Sequence, residues 1–194
     1  MIVLASQSAI RRTLLSGAGV VFTAATSPLN ESELQSLLTH LSPRDMAVTL
    51  ANAKANAVEP PEPADLVIGV DQTFELDGNV LHKPRNKEQA KQHLLSLNGK
   101  THRLHTAYSV FRNRQQVAAH CDTATLTMRQ MSDGFINDYL ATIPRAVLIS
   151  VGCYQLEGPG IQLMQNITGD YFTILGLPLL PLLAHLRELG ELPA

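Results

Sequence analysis

The sequence predicts a mixed α/β fold, and three observations carry that prediction. Apolar runs of strand length alternate with capped segments of helix length along the chain. Two long strand patterns, residues 101–111 and 117–128, follow one another around Asn113-Arg114. Such a hairpin makes a mixed sheet, flanked by helices, rather than a purely parallel one. No Pro-, Gly- or Ser-rich linker is long enough to part independent domains. The 194 residues therefore read as a single domain, 1–194, of two lobes around a central cleft.

The elements follow in order. Residues 2–5 are a short apolar strand. Ser6 or Ser8 caps a helix to about Ser16, stopped by Gly17 and Gly19. Residues 20–25 read as a second strand, whereas residues 30–41 are polar with scattered leucines and give no clear period. Ser42-Pro43-Arg44-Asp45 joins a cap, a proline at the first helical position and an acid in the first turn. That helix runs to about Val58, where Glu59-Pro60-Pro61-Glu62-Pro63 ends it. Residues 66–70 form a strand that delivers Asp71 at its end. Residues 74–76 and 79–81 flank the hairpin turn Asp77-Gly78. Asn86, with Gln89 three residues on, opens a helix that stops before Gly99. After the two long strands, Ser132 starts a helix to about Ala141 and residues 147–151 read as a strand. Residues 158–160 form a Gly-Pro loop, and residues 178–189 a last helix.

Composition narrows the function. Fifteen Lys and Arg against 17 Asp and Glu give a net charge of −2, which argues against a nucleic-acid binder while leaving room for a local basic pocket. A hydrophobic content of 45% supports a packed core. The opening MIVLASQSAIRR places its charges after the apolar run, the reverse of a signal peptide. ILGLPLLPLLAHL is too short for a membrane span and holds Pro178 and Pro181. Cys121 and Cys153 lack metal-type spacing and read as two buried thiols of a reducing, cytoplasmic compartment.

Asp71 is the first candidate for chemistry, because a strand end fixes a carboxylate while one side stays open. A solvated strand end accounts for it equally well. Ser6-Gln7-Ser8-Ala9-Ile10-Arg11-Arg12 opens a helix after a strand, where free N–H groups, hydroxyls and guanidiniums suit phosphate. An ordinary capped helix with solvated arginines is the plainer account. Neither a Walker loop nor GxGxxG occurs, and Asp71-Gln72-Thr73 lacks the second aspartate of the haloacid-type phosphatases. Lys54 and Lys83 read as surface lysines when taken alone. His102 and His105 point to opposite strand faces and share no metal.

Taken together, these stretches resemble the Maf family of nucleoside triphosphate pyrophosphatases, and the resemblance spans nearly the whole chain. S-x-S-P-x-R-R-x-L-L corresponds to Ser6 through Leu15, with Ala9 in the proline place. An Asp-Glu pair corresponds to Asn30-Glu31, L-A-x-x-K-A to residues 50–55, and I-G-x-D to residues 68–71. G-K-P corresponds to His82-Lys83-Pro84, G-K-T-H to residues 99–102, and G-D-Y-x-x-x-x-G-L-P-L to residues 169–179.

The resemblance implies an ITPase-like fold, hydrolysis between the α and β phosphates, and a divalent metal, Mg or Mn. It implies Asp71 as the catalytic acid, with Glu31 and Asp71 beside the metal and Ser6, Ser8, Arg11, Arg12, Lys54 and Lys83 on the triphosphate. Three matched positions differ between the family's subgroups. This chain has Ile10, Gln72 and Glu157, of which the last two match the 7-methyl-GTP type. That type carries tryptophan in place of Ile10, whose cation–π contact with the methylated ring is worth roughly 0.5–2 kcal/mol. The resemblance also suggests a homodimer and, as an alternative to catalysis, a nucleotide-binding regulator of septum formation. No nucleic-acid or membrane partner is expected.

Overall fold

A computed structural model of the chain describes residues 1–148 and 150–193. In chain order the elements are β1 (Ile2–Ala5), α1 (Ala9–Gly17), β2 (Thr23–Ala24), α2 (Glu31–Leu37) and α3 (Pro43–Asn56). Next come β3 (Leu66–Leu76), β4 (Asn79–Leu81), α4 (Lys87–Leu97), β5 (Thr101–Arg112), β6 (Gln115–Met128), α5 (Asp133–Thr142) and α6 (Arg145–Leu148). A 3-10 turn (Pro159–Leu163), β7 (Met164–Thr168), α7 (Tyr171–Leu175) and α8 (Leu179–Glu188) complete the chain. The strands form one mixed sheet in the order β2-β1-β3-β5-β6-β7, with β4 on β3. β1 lies parallel to β2 and β3, whereas β4 is antiparallel to β3. Among the described residues no helix is long and apolar enough to cross a membrane.

The chain divides into two compact units. One comprises Met1–Thr73, His105–Thr123 and Asp170–Ala194, and the other Phe74–Leu104 and Ala124–Gly169. In the first, β3 alternates strictly, as a strand buried on both faces requires. Leu66, Ile68 and Val70 join Leu15 of α1 and Leu182 and Leu186 of α8 in one core cluster. Val67 turns the other way, into a smaller cluster with Ala55 and Val58. Each fully buried leucine or isoleucine in these clusters contributes about 2 kcal/mol.

In the second unit, Asp77 and Gly78 both take positive φ, 52° and 82°, and turn β3 into β4. The Asn86 side chain accepts from the Gln89 N–H and caps α4. Gln89 Oε1 accepts from the Arg85 N–H, one residue before the cap. At the centre, Phe74 stacks flat on His102 with centroids 4.5 Å apart, and His102 Nε2 lies 2.7 Å from the Tyr154 hydroxyl.

The structure departs from the sequence expectations at several points. β3 runs unbroken through Asp71 to Leu76, so Asp71 lies within a strand and not at its end. Residues 145–148 are helical and not a strand: the Pro144 carbonyl accepts from the N–H groups of Val147 and Leu148, and this local closure overrides the β propensity of Val147. Ile149, within the same expected strand, lies outside the described residues. Residues 20–25 shrink to β2. Residues 30–41 contain α2, which buries no residue and so shows no apolar period; Asn30 and the acids Glu31 and Glu33 make its first turn. Cys153 is buried but Cys121 only half-buried, and both are free thiols. Burial pushes the Cys153 thiol up to about 12.

His102 is 1% exposed, and burial lowers its pKa to about 4. An unfolded imidazole protonates near pH 6.5, so stability contributed by neutral His102 is present above that pH and drains away as pH falls toward 4. Urea unfolding at pH 6.5 and 4.5 should show His102→Gln losing about 2 kcal/mol less than the wild type over that interval. Equal losses would mean that His102 does not stay neutral in the fold.

Candidate active site

Asp71 belongs to the face of β3 that meets α3, and a glycine makes that meeting close. A Cβ on Gly69 would stand 2.2 Å from the Ala51 carbonyl oxygen and 2.4 Å from the Ala55 nitrogen. Only glycine allows the helix to lie there. Thr73, two residues beyond Asp71, fastens the start of α3 by donating to the Pro43 carbonyl at 2.7 Å. Between these two contacts α3 presents Lys54.

Lys54 is buried and serves two carboxylates. Its Nζ lies 2.7 Å from Asp71 Oδ1 and 2.9 Å from Glu31 Oε2. The Lys54 and Asp71 side chains are 8% and 7% exposed, whereas Glu31 is half in solvent. Glu31 is the first residue of α2, set there by its neighbour: Asn30 Oδ1 accepts from the Glu33 N–H and Asn30 Nδ2 donates to Glu33 Oε2. The amide thus performs the capping that an aspartate would, without its charge. Two carboxylates offset the burial of the Lys54 side chain.

The opposite face of β3 carries Gln72, whose Nε2 donates to Thr106 Oγ1 at 2.8 Å and to the carbonyls of Thr173 and Ile174 at 3.0 and 3.2 Å. Thr173 belongs to α7, capped by Asp170 and closed by Gly176 in the left-handed region, φ 102°. Arg11 is clamped beside it. Its Nε donates to the Gly176 carbonyl at 2.8 Å, and its Nη1 to the Val70 carbonyl and to Ser6 Oγ. Burial lowers the Arg11 pKa from its ordinary value, while Asp71 and Glu31 act the other way. Ser8 caps α1 by accepting from the Arg11 N–H.

The expected site residues therefore separate. Asp71, Lys54 and Glu31 are brought together, and Ser6, Ser8 and Arg11 are tied to one another. Arg11 has only Nη2 without a hydrogen bond among the described residues. Arg12 is exposed, its guanidinium without a hydrogen bond or ion pair among the described residues, and Ile10 is half-buried on α1. Lys83 and Glu157 are exposed in the second unit. Sequence reasoning missed Thr106 and Thr173, both fully buried. Hydroxyl residues inside the apolar run of β5, Thr106 and Ser109, were the available signal, because a buried polar group implies a partner.

Oxygen donors suited to a hard cation are present. Asp71 Oδ2 is buried with no hydrogen-bond partner, and Glu31 shares Lys54 with Oδ1 of the same side chain. Among the described residues no group of three or more His, Cys, Asp or Glu could hold a metal alone. The carboxylates of Asp71 and Glu31 are oxygen donors of the kind that Mg or Mn takes beside substrate phosphates. A separate cavity of about 230 Å³ lies near Val67, toward the start of β3, lined by Asn56, Pro63 and Phe111 among others. Its charged groups are engaged: Asp65 with the N-terminal amine, Arg112 with Glu191, and Arg114 with Glu59.

Comparison with known proteins places the whole chain. The sequence model described as "Maf-like protein" matches residues 1–189. A 7-methyl-GTP pyrophosphatase of Rhizobium meliloti (strain 1021) is 50% identical, over 100% of this chain and 98% of that protein. A 7-methyl-GTP pyrophosphatase of Mesorhizobium japonicum is 46% identical, over 98% and 97%. A nucleoside triphosphate pyrophosphatase of Nitrobacter hamburgensis is 43% identical, over 98% and 95%. A solved HAM1 protein from Coxiella burnetii overlaps 67% of this chain and 73% of its own, with a TM-score of 0.41 and 15% identity, too loosely to argue from.

Two outcomes test this geometry. Gly69→Ala should cost about 3 kcal/mol in urea unfolding, because backbone and not a pliable side chain blocks the new methyl. Lys54→Met should cost about 3–5 kcal/mol by stranding Asp71. Adding Asp71→Asn should then recover part of that loss, with a coupling of about 1–3 kcal/mol. Strict additivity would mean that the two side chains do not share a buried ion pair.

Proposed function

The chain belongs to the Maf-like protein family, and from that premise we propose that it is a nucleoside triphosphate pyrophosphatase acting on modified or non-standard nucleotides, 7-methyl-GTP foremost. The observation that carries this reading is the buried Lys54–Asp71 pair with one carboxylate oxygen left unbonded. Water adds to the α phosphorus, the bond to the oxygen bridging α and β breaks, and pyrophosphate departs with the electron pair. The products are the nucleoside monophosphate and pyrophosphate, and the water's proton passes to Asp71 Oδ2. Lys54 holds Oδ1, so Oδ2 is the carboxylate oxygen left to take that proton. A bound divalent cation would be held by Asp71 and Glu31 and would supply Lewis-acid polarisation of the phosphates.

Charge accumulates on the leaving pyrophosphate, and fixed cations stabilise it without reorganising. Arg12 and Lys83 are exposed and able to serve the phosphates, as is Arg11 through Nη2. Ser6 and Ser8 act mainly by holding Arg11 and opening α1. Base choice rests with Ile10, Gln72 and Glu157. A carboxylate at Glu157 accepts from the N1–H and N2–H₂ groups of guanine, whereas uracil and thymine offer carbonyl oxygens beside their single N–H. The names of the relatives, 7-methyl-GTP pyrophosphatase among them, support the same choice.

Pyrophosphate release with Mg or Mn across 7-methyl-GTP, GTP, UTP, dTTP and CTP tests the reading. Highest kcat/KM on 7-methyl-GTP is the expected result. Preference for UTP or dTTP would overturn the assignment of Gln72 and Glu157. Nucleotide binding without turnover on any of them would replace the enzyme with a nucleotide-binding regulator.

A further inference from the structure

The terminal amide of Gln72 has two chemically different ends, and its surroundings dictate which end points where. One end faces the carbonyl oxygens of Thr173 and Ile174, at 3.0 and 3.2 Å. A carbonyl only accepts, so that end is the nitrogen. Thr106 agrees independently. Its hydroxyl has one hydrogen, donated to the Thr173 carbonyl at 2.9 Å. Its oxygen must therefore accept from Gln72, at 2.8 Å. Both amide hydrogens are used, and Oε1 is left as the unbonded end, with no hydrogen bond to it among the described residues. Thr106 and Thr173 are each 0% exposed, so water does not compete for these bonds.

We infer that Thr106 is a positioning residue that, together with the carbonyls of α7, locks the Gln72 amide nitrogen inward, so that Gln72 offers the substrate base only a hydrogen-bond acceptor. This rests on the proposed function, in which Gln72 takes part in base choice. An acceptor-only Gln72 suits a base edge of consecutive N–H donors, as guanine presents, and disfavours a carbonyl oxygen in the same place, as on uracil. Freed to rotate, the same side chain would present its nitrogen to that carbonyl and lose discrimination. Glutamine is then required here for its nitrogen, which holds α7, as much as for its oxygen. A glutamate at 72 would set a carboxylate against two carbonyls and a hydroxyl whose hydrogen is already used.

Two measurements test the inference. In the wild type, side-chain amide exchange by NMR should show the Gln72 NH₂ protons protected at least about tenfold relative to the exposed Gln165. The ratio of kcat/KM on GTP to that on UTP should fall about three- to tenfold in Thr106→Val, roughly one hydrogen bond's worth. The change should appear in KM more than in kcat, and Thr106→Ser, which keeps the hydroxyl, should restore the ratio. Unprotected Gln72 protons in the wild type overturn the inference whatever the activity. Protected protons with an unchanged ratio in Thr106→Val, or a ratio not restored by Thr106→Ser, overturn it while leaving the proposed function intact. If the wild type turns over no nucleotide, the proposed function fails and with it the effect on base choice, whereas protection still decides how the amide is oriented.

Discussion

The ion pair between Lys54 and Asp71 is the constraint around which the first unit is arranged. Two groups that are 8% and 7% exposed cannot each stand alone, since an unpaired buried charge costs several kcal/mol. Their meeting requires α3 to approach β3 more closely than any residue other than glycine permits, and Gly69 supplies that approach. The helix is anchored at its start by the Thr73–Pro43 bond and at Lys54 by the ion pair itself. Glu31 completes the arrangement from α2, a helix that buries no residue and depends on its Asn30 cap. A site built this way keeps its carboxylate fixed by a strand and its cation fixed by a helix, which is the rigidity that proton transfer in a set geometry demands.

Period-two alternation lets one strand serve two purposes. Asp71 turns toward α3 and Gln72 toward α7, so the acid and the amide next to it have wholly separate supports. Arg11 joins the second set, bridging α1, β3 and the Gly176 carbonyl. Its guanidinium spends two of three nitrogens on the fold. An arginine read from sequence as a phosphate ligand is thus first a clamp, with only Nη2 outside those bonds among the described residues.

Much of the fold was legible because it follows local rules. Ser42-Pro43-Arg44-Asp45 gave the start of α3, and Asp77-Gly78 gave the hairpin, since caps and left-handed turns need particular residues. What escaped depends on contacts remote in sequence. Nothing local says that β3 continues through a charged residue, because its tolerance of Asp71 comes from Lys54, 17 residues earlier. The helix at residues 145–148 depends on a single proline carbonyl, and α7 on the Asp170 cap and Gly176. In the candidate site, Asp71 stood out from its strand pattern, whereas Glu31 and the role of Lys54 came through family resemblance and not through spacing. Thr106, in β5, and Thr173, in the short helix α7, were missed because a buried threonine looks like any other small β-branched residue until its partner is known.

Pyrophosphate release by Asp71→Asn on 7-methyl-GTP, with folding verified by unfolding midpoint, tests the central claim most directly. The asparagine keeps the shape and a partner for Lys54 but cannot take the water's proton, so the account predicts a fall in kcat of about a hundredfold or more. Wild-type turnover in the folded variant would contradict it and move the chemistry away from β3.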